Sequence, residues 1–268
     1  MKPTQIAELI ANIKASFVSF FSILMFVAMG VGVFSGIFWA SPALQTAADK
    51  VFNEGNLHHF QVVYPYGLTD DDVAKLSALP DVDGVEAGYQ AVQDFENDNG
   101  SFCMKLQTMG RNIDELMVQE GTLPLKAGQI ALKASNAKFL GLQVGDTITF
   151  AHDGTDDDGM KLLKTDTFTI TALVESPEYI AYSGQTYGFS SSGSGSIDAI
   201  GWITNAAFDA KAFQDGFPVV NVRSAKLAAF PGSFGDDYKQ ASSQVEQEIA
   251  DLGEELGTAR FNELHTEA

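Results

Sequence analysis

The chain has 268 residues, 45% of them apolar, and a formal charge of −19; that is enough apolar material for a packed core and excludes wholesale disorder. Lys2, Lys14 and Glu8 are the only charged residues up to Ala48, so the remaining 34 acidic and 14 basic residues leave everything beyond it at a net of −20. Such a surface repels phosphate backbones and argues against a nucleic-acid partner.

No charged residue lies between Lys14 and Asp49, and the run Phe17–Trp39 is almost wholly apolar. As a helix it would reach roughly 35 Å, against a bilayer hydrocarbon core of about 30 Å. A cleaved signal peptide is the rival reading. Its apolar region is typically ~7–15 residues, shorter than this run, and only Thr46–Ala48 hints at a cleavage site. Lys2 and Lys14 before the span place the N-terminus in the cytoplasm, with Trp39 at the outer interface. Ala28, Gly32 and Gly36 recur every four residues and form a small-residue face on which another helix can pack. Ile6, Leu9, Ile10, Ile13 and Phe17 follow helical spacing. They form either a short amphipathic helix along the inner leaflet or a continuation of the same helix.

Beyond the span, Phe60–Pro65 is predicted as a strand ended by Tyr66-Gly67, after which Thr69 caps a helix opening with Asp70, Asp71 and Asp72. Pro80 stops that helix. Val85–Phe95 and Ser101–Gly110 read as paired strands joined by a polar turn at 96–100. The lone Cys103 allows no intrachain disulfide and is expected to be a buried structural thiol. Next come a strand at Gln129–Leu132, a helical turn Ser135–Leu140 closed by Gly141, and strands Val144–Phe150 and Asp166–Val174. A long Ser/Gly/Tyr-rich stretch over 176–198 is either an excursion or a binding surface. Ala199–Thr204, a helix Asn205–Phe213 and Pro218–Ser224 are expected to return to the first sheet, and a helix begins at Asp236.

Candidate chemistry is thin. The loop 153–159 is acidic, but an EF-hand register needs oxygen ligands at positions held by Gly154 and Thr165, so a solvated turn is expected. His58 and His59 are adjacent, so in a strand their side chains diverge; surface histidines are expected rather than a metal pair. The glycine-rich Gly193–Asp198 neither follows a strand nor opens a helix, and no Walker lysine accompanies it. No catalytic, cofactor-binding or metal residues are assigned. The pattern points to binding, transport or signalling, not catalysis.

Several stretches resemble the FtsX-like (MacB-like) permeases of ABC transporters. IKASFVSFFSILMFVAMGVGVFSGI is similar to that family's first transmembrane helix, and PALQTAADKVFNEGNLHHFQVVYPYGLTDDDVAKLSALPDVDGVEAGY to the start of its extracytoplasmic domain. LPLKAGQIALKASNAKFLGLQVGDTITF and ALVESPEYIAYS follow the family's order of motifs, and the likeness covers about Ile6–Ser224. The resemblance implies an α+β fold: one N-terminal transmembrane helix, then a two-lobed domain in which a ferredoxin-like sheet-and-helix lobe carries an inserted β-rich lobe. The expected divisions are a cytoplasmic segment 1–16, the span 17–40, a discontinuous membrane-proximal lobe 41–110 and 197–235, and the inserted lobe 111–196. A helix over 236–268 leads back toward the membrane. The resemblance also implies further spans outside this chain, so the sequence is read as the N-terminal part of a longer permease. The implied partners are a cytoplasmic ABC ATPase, other permease helices or a second permease copy, and membrane lipid. The implied role is coupling that ATPase to movements of the outer domain, for export or lipid and peptide handling, with no chemistry on this chain. The alternative is a single-pass anchored ligand-binding or adhesion module acting through the Ser/Gly/Tyr loop. An anchored enzyme would instead lose activity on changing particular carboxylates or His58.

Overall fold

The computed structural model describes residues 3–151, 159–180, 187–190 and 195–267. The acidic loop 153–158 and part of the Ser/Gly/Tyr stretch (181–186 and 191–194) lie outside them. The chain divides into two compact units, Met1–Ala48 and Asp49–Ala268.

The first unit is helical. Helix α1 (Pro3–Ala15) and helix α2 (Phe17–Glu54) are separated by Ser16 alone. Within Phe17–Trp39 the large apolar side chains are exposed, among them Phe26, Phe34 and Ile37. One stretch of α2 is long and apolar enough to cross a membrane. An exposed apolar surface of this length fits a membrane span. The helix does not stop at the expected interface. It runs through Pro42 to Glu54, and Asp49–Glu54 belong to the second unit.

The second unit is α+β and contains two sheets. The smaller has strand order β1-β10-β2, from β1 (Phe60–Leu68), β10 (Phe217–Ser224) and β2 (Val82–Gly88), all antiparallel. Alternate residues such as Val220 and Val222 face α3 (Asp70–Ser77) and α6 (Asp236–Glu267), where Leu76, Val245, Ile249 and Leu256 close a core. Thr69 caps α3 as expected: its hydroxyl accepts from the Asp72 N–H, and the Asp72 carboxylate accepts from the Thr69 N–H. Strand β1 continues past the expected turn, because Gly67 takes φ +68° and bulges the ladder between Val63 and Leu68. A Cβ at Gly67 would lie 2.5 Å from the Gly216 carbonyl carbon, so two backbones cross there at glycine-only distance.

The larger sheet has seven strands: β3 (Gln90–Asn97), β4 (Gly100–Thr108), β9 (Ala199–Ile203), β6 (Gln129–Lys133), β8 (Thr167–Glu175) and β5 (Met117–Gly121) in that spatial order, with β7 (Thr147–Thr149) on β8. β4 with β9 and β6 with β8 are parallel; the other pairs are antiparallel. Both faces are buried, one around Phe168 and Ile130, the other around Trp202 and Cys103. Helix α4 (Ala134–Leu140) follows β6 and closes on Gly141 at φ +72°.

This partition differs from the expected one. The 90–108 hairpin and Ala199–Ile203, expected in the membrane-proximal lobe, belong to the larger sheet, because Met104–Thr108 pairs in parallel with Ala199–Ile203. All seven strands therefore come from one continuous segment lying between β2 and β10. The strand expected at Val85–Phe95 breaks at Tyr89, whose buried ring sits among Phe208, Phe213 and Phe217, with centroids 4.9–5.3 Å away. The helix expected at Asn205–Phe213 is instead two 3-10 turns, Asn205–Ala207 and Ala210–Phe213. Phe208 between them is extended and buried against Tyr89. Neither β5 nor the short helix α5 (Ala225–Ala228) was expected.

Candidate functional site

The residues that leave α2 form a joint with the larger lobe. Gly55 passes so close to Pro177 that a Cβ there would lie 2.7 Å from the proline ring. Asn56 (φ +47°) and Asp114 (φ +56°) both take the left-handed conformation that Asn and Asp tolerate better than most residues. These turns set two backbones side by side: the Asp114 N–H donates to the Asn56 carbonyl (3.1 Å) and the Glu115 N–H to the Gly55 carbonyl (2.8 Å). The Asn56 side-chain amide donates to Glu115 (2.9 Å). Asp114 then receives the His58 N–H (3.0 Å), the His58 Nδ1 (2.9 Å) and the Asn221 amide (2.7 Å). On the other side, the Ser233 N–H donates to Asp49, so the end of α2 is also tied to the smaller lobe (3.0 Å).

The electrostatics follow from burial. Desolvation alone would lower the His58 pKa. The hydrogen bond and charge of Asp114 outweigh it, with Glu178 adding, and the net value is raised. His59 goes the other way: burial first, then Arg223, depress it to about 4, and its Nδ1 accepts the Ser224 N–H. Neither histidine lies free on the surface as expected, because the loop 109–116 and strand β10 cover them. The Cys103 thiol is buried and pushed up to about 11, mainly by desolvation, as a structural cysteine should be.

Beside the joint lies a groove of about 650 Å³ between the two sheets. Gln61, Asn221 and Glu86, aligned across β1, β10 and β2, lie on the face of the smaller sheet opposite α3 and α6. The Glu86 carboxylate accepts the Arg111 and Asn112 N–H groups and so holds the loop 109–112 along one bank. Glu178 and Gln107 form the far wall, joined by a 2.9 Å hydrogen bond.

Ala28, Gly32 and Gly36 fall on one face of α2, and a Cβ added at Gly32 or Gly36 meets no atom within 4 Å. Among the described residues, no group of three or more His, Cys, Asp or Glu is placed to hold a metal ion. Sequence reading missed Asp114, Glu115 and Asn221 altogether. The usable signal was an Asn and an Asp 58 positions apart, each at a left-handed turn, which pattern alone does not connect.

No protein-family model matches the chain, and no curated protein does. Among solved structures it is similar to the extracellular domain of the noncanonic ABC-type transporter YknZ from Gram-positive bacteria. Identity is 9% and the TM-score 0.37, over 68% of this chain and 86% of that one. It is also similar to the periplasmic region of MacB from Actinobacillus actinomycetemcomitans, at 11% identity and a TM-score of 0.35, over 69% of this chain and 75% of that one. Both neighbours lie outside the cytoplasm.

Proposed function

We propose that this chain is the anchored extracytoplasmic module of an FtsX-like, MacB-like ABC permease subunit. The N-terminus lies in the cytoplasm, and a separate cytoplasmic ATPase hydrolyses ATP. The chain itself performs no covalent chemistry. Its work is to turn movement of α2 into movement of the larger lobe, for export or for lipid or peptide handling. The order of family-like motifs supports this reading, as does the lipid-length apolar run Phe17–Trp39. The observation that carries it is the joint: one uninterrupted helix, Phe17–Glu54, ends at residues hydrogen-bonded to both lobes. The Ala28/Gly32/Gly36 face packs against another permease helix or a second copy, as small residues do in lipid.

Two measurements test this. In a Cys103→Ser background, a membrane-impermeant maleimide on intact cells should label Asp237→Cys and spare Lys2→Cys; the reverse pattern overturns the orientation. With spin labels at Asp71→Cys in the smaller lobe and Lys138→Cys in the larger, the full protein reconstituted with the ATPase encoded beside its gene should change inter-label distance on adding ATP. An unchanged distance overturns the relay and favours an anchored ligand-binding module.

A further inference from the structure

The groove beside the joint has the lining of a peptide site. Six carboxamides face it: Gln61, Gln90, Gln107, Asn112, Asn205 and Asn221. A carboxamide offers both a donor and an acceptor, the same pair a peptide bond presents. Some of that capacity is spent internally, as where Gln107 spans Glu178 and Tyr179. Asn221 likewise accepts from Gln61 and donates to Asp114, Asn112 donates to Glu86, and Asn205 accepts from Thr108, which leaves each amide part of its capacity. Thr204, also in the lining, keeps a buried hydroxyl with no hydrogen-bond partner among the described residues.

The second observation is independent of side chains. Among the described residues β2 is an edge strand, paired with β10 alone, so alternate N–H and C=O groups point away from the ladder. Six consecutive residues, Val85–Gln90, line the groove. Consecutive lining exposes main chain, because side chains of one strand face only can account for every second residue. Beyond Gly88 the edge closes, because the Thr108 N–H donates to the Tyr89 carbonyl and the Thr108 hydroxyl accepts the Tyr89 N–H. Gln90 already pairs with Gln107 in the larger sheet, so the open edge is Val85–Gly88, which at about 3.3 Å per residue accommodates about four residues of extended chain.

We propose that the groove binds an extended peptide segment, about four residues of which add as a strand to the outer edge of β2 and are read by the carboxamides. The edge provides main-chain hydrogen bonds and the lining provides selection, the division of labour in strand addition. Charge sets the side-chain preference. Among the described lining residues Glu86, Asp114 and Glu178 stand against Arg111, and although Asp114 is also paired with His58, a basic central residue is favoured over an acidic one. Other occupants fit less well. Tyr89 is the only aromatic among the described lining residues, and its ring is turned into the cluster with Phe208, Phe213 and Phe217, so among them no platform is left for a sugar or base to stack on. An anion would meet three carboxylates.

The proposal does not depend on transport, and its test needs no ATPase, so it can fail or succeed independently of the relay. Full-length protein in detergent micelles is titrated with acetyl-Thr-Val-Lys-Val-Thr-amide by saturation-transfer difference NMR, with the corresponding glutamate peptide, maltopentaose and spermidine in parallel. The lysine peptide should bind. N-methylating its central residue, or replacing lysine by glutamate, should weaken it roughly tenfold, about the value of one hydrogen bond. In Glu178→Gln the lysine-over-glutamate preference should shrink while the effect of N-methylation persists. The proposal is overturned if the lysine peptide gives no saturable signal at millimolar concentration or if N-methylation changes nothing. It is equally overturned if maltopentaose or spermidine binds the groove more tightly than the peptide.

Discussion

Replacing Asp114 by Asn tests the joint most directly. The change keeps size and shape but removes a charge that is 8% exposed and faces a His58 side chain 16% exposed. Asp114 accepts three hydrogen bonds through its side chain, from the His58 N–H, His58 Nδ1 and Asn221. Asn retains one acceptor oxygen and turns an amide N–H₂ toward another donor. Hydrogen bonds to a charged group contribute about 1.5–3 kcal/mol each, and breaking a buried pair costs about 3–5 kcal/mol. The expected loss is therefore roughly 2–4 kcal/mol in urea unfolding, with one bond retained and two weakened. pH dependence separates this from generic damage. His58 has a raised pKa in the folded state, so it binds more protons folded than unfolded between about 6.5 and its folded value. Its contribution is complete below about 6.5 and is lost as pH rises through the folded value. In Asp114→Asn burial remains without the carboxylate, so the His58 resonance should titrate below 6.5, and the gap from wild type should be widest on the acid side. A gap independent of pH, an unshifted His58 titration, or a loss under about 0.5 kcal/mol, the range of ordinary surface substitutions, would refute the reasoning.

His59 gives the opposite limb. Its pKa falls to about 4 on folding, so its contribution is present above about 6.5 and is lost as pH drops toward 4. His59→Gln, which keeps an acceptor for the Ser224 N–H, should flatten that acid limb in pH-dependent unfolding curves. Gly67→Ala combines φ +68° with a backbone 2.5 Å away, so a loss of at least ~1–3 kcal/mol is expected in thermal or urea denaturation. Cys103 is fully buried with its thiol pushed up to about 11, so a thiol reagent should react only as fast as the larger lobe opens, and the rate should rise with urea.

Local chemistry was legible wherever one residue decides an outcome. Thr69 with three following aspartates announced the α3 cap, and Gly141 announced the end of α4. The apolar run of α2 was plain, but its continuation to Glu54 was not, since Pro42 suggests a stop that the helix absorbs. The division between lobes was misplaced because strand pairing is non-local. Nothing within Val85–Phe95 says that Tyr89 passes the chain from one sheet to the other; the reason lies with Phe208, Phe213 and Phe217, over a hundred residues later. Phe208 likewise broke a helix that local spacing favoured, by burying itself in the same cluster. The joint was hidden for the same cause. Asn56, Asp114 and Asn221 are ordinary polar residues until the fold brings them together.

Gly88 at the end of β2 stands opposite Val219 near the start of β10, so the larger lobe leaves and re-enters its host at neighbouring points of one ladder. A hairpin of a few residues could bridge that gap. The lobe is in this sense an interchangeable head, and a protein of this design could acquire a new specificity by exchanging one contiguous cassette. The three-stranded base and its pattern of strands would remain as they are. The cassette must bring its own counterpart to Asp114, or the new head would be mounted without a grip on the stem.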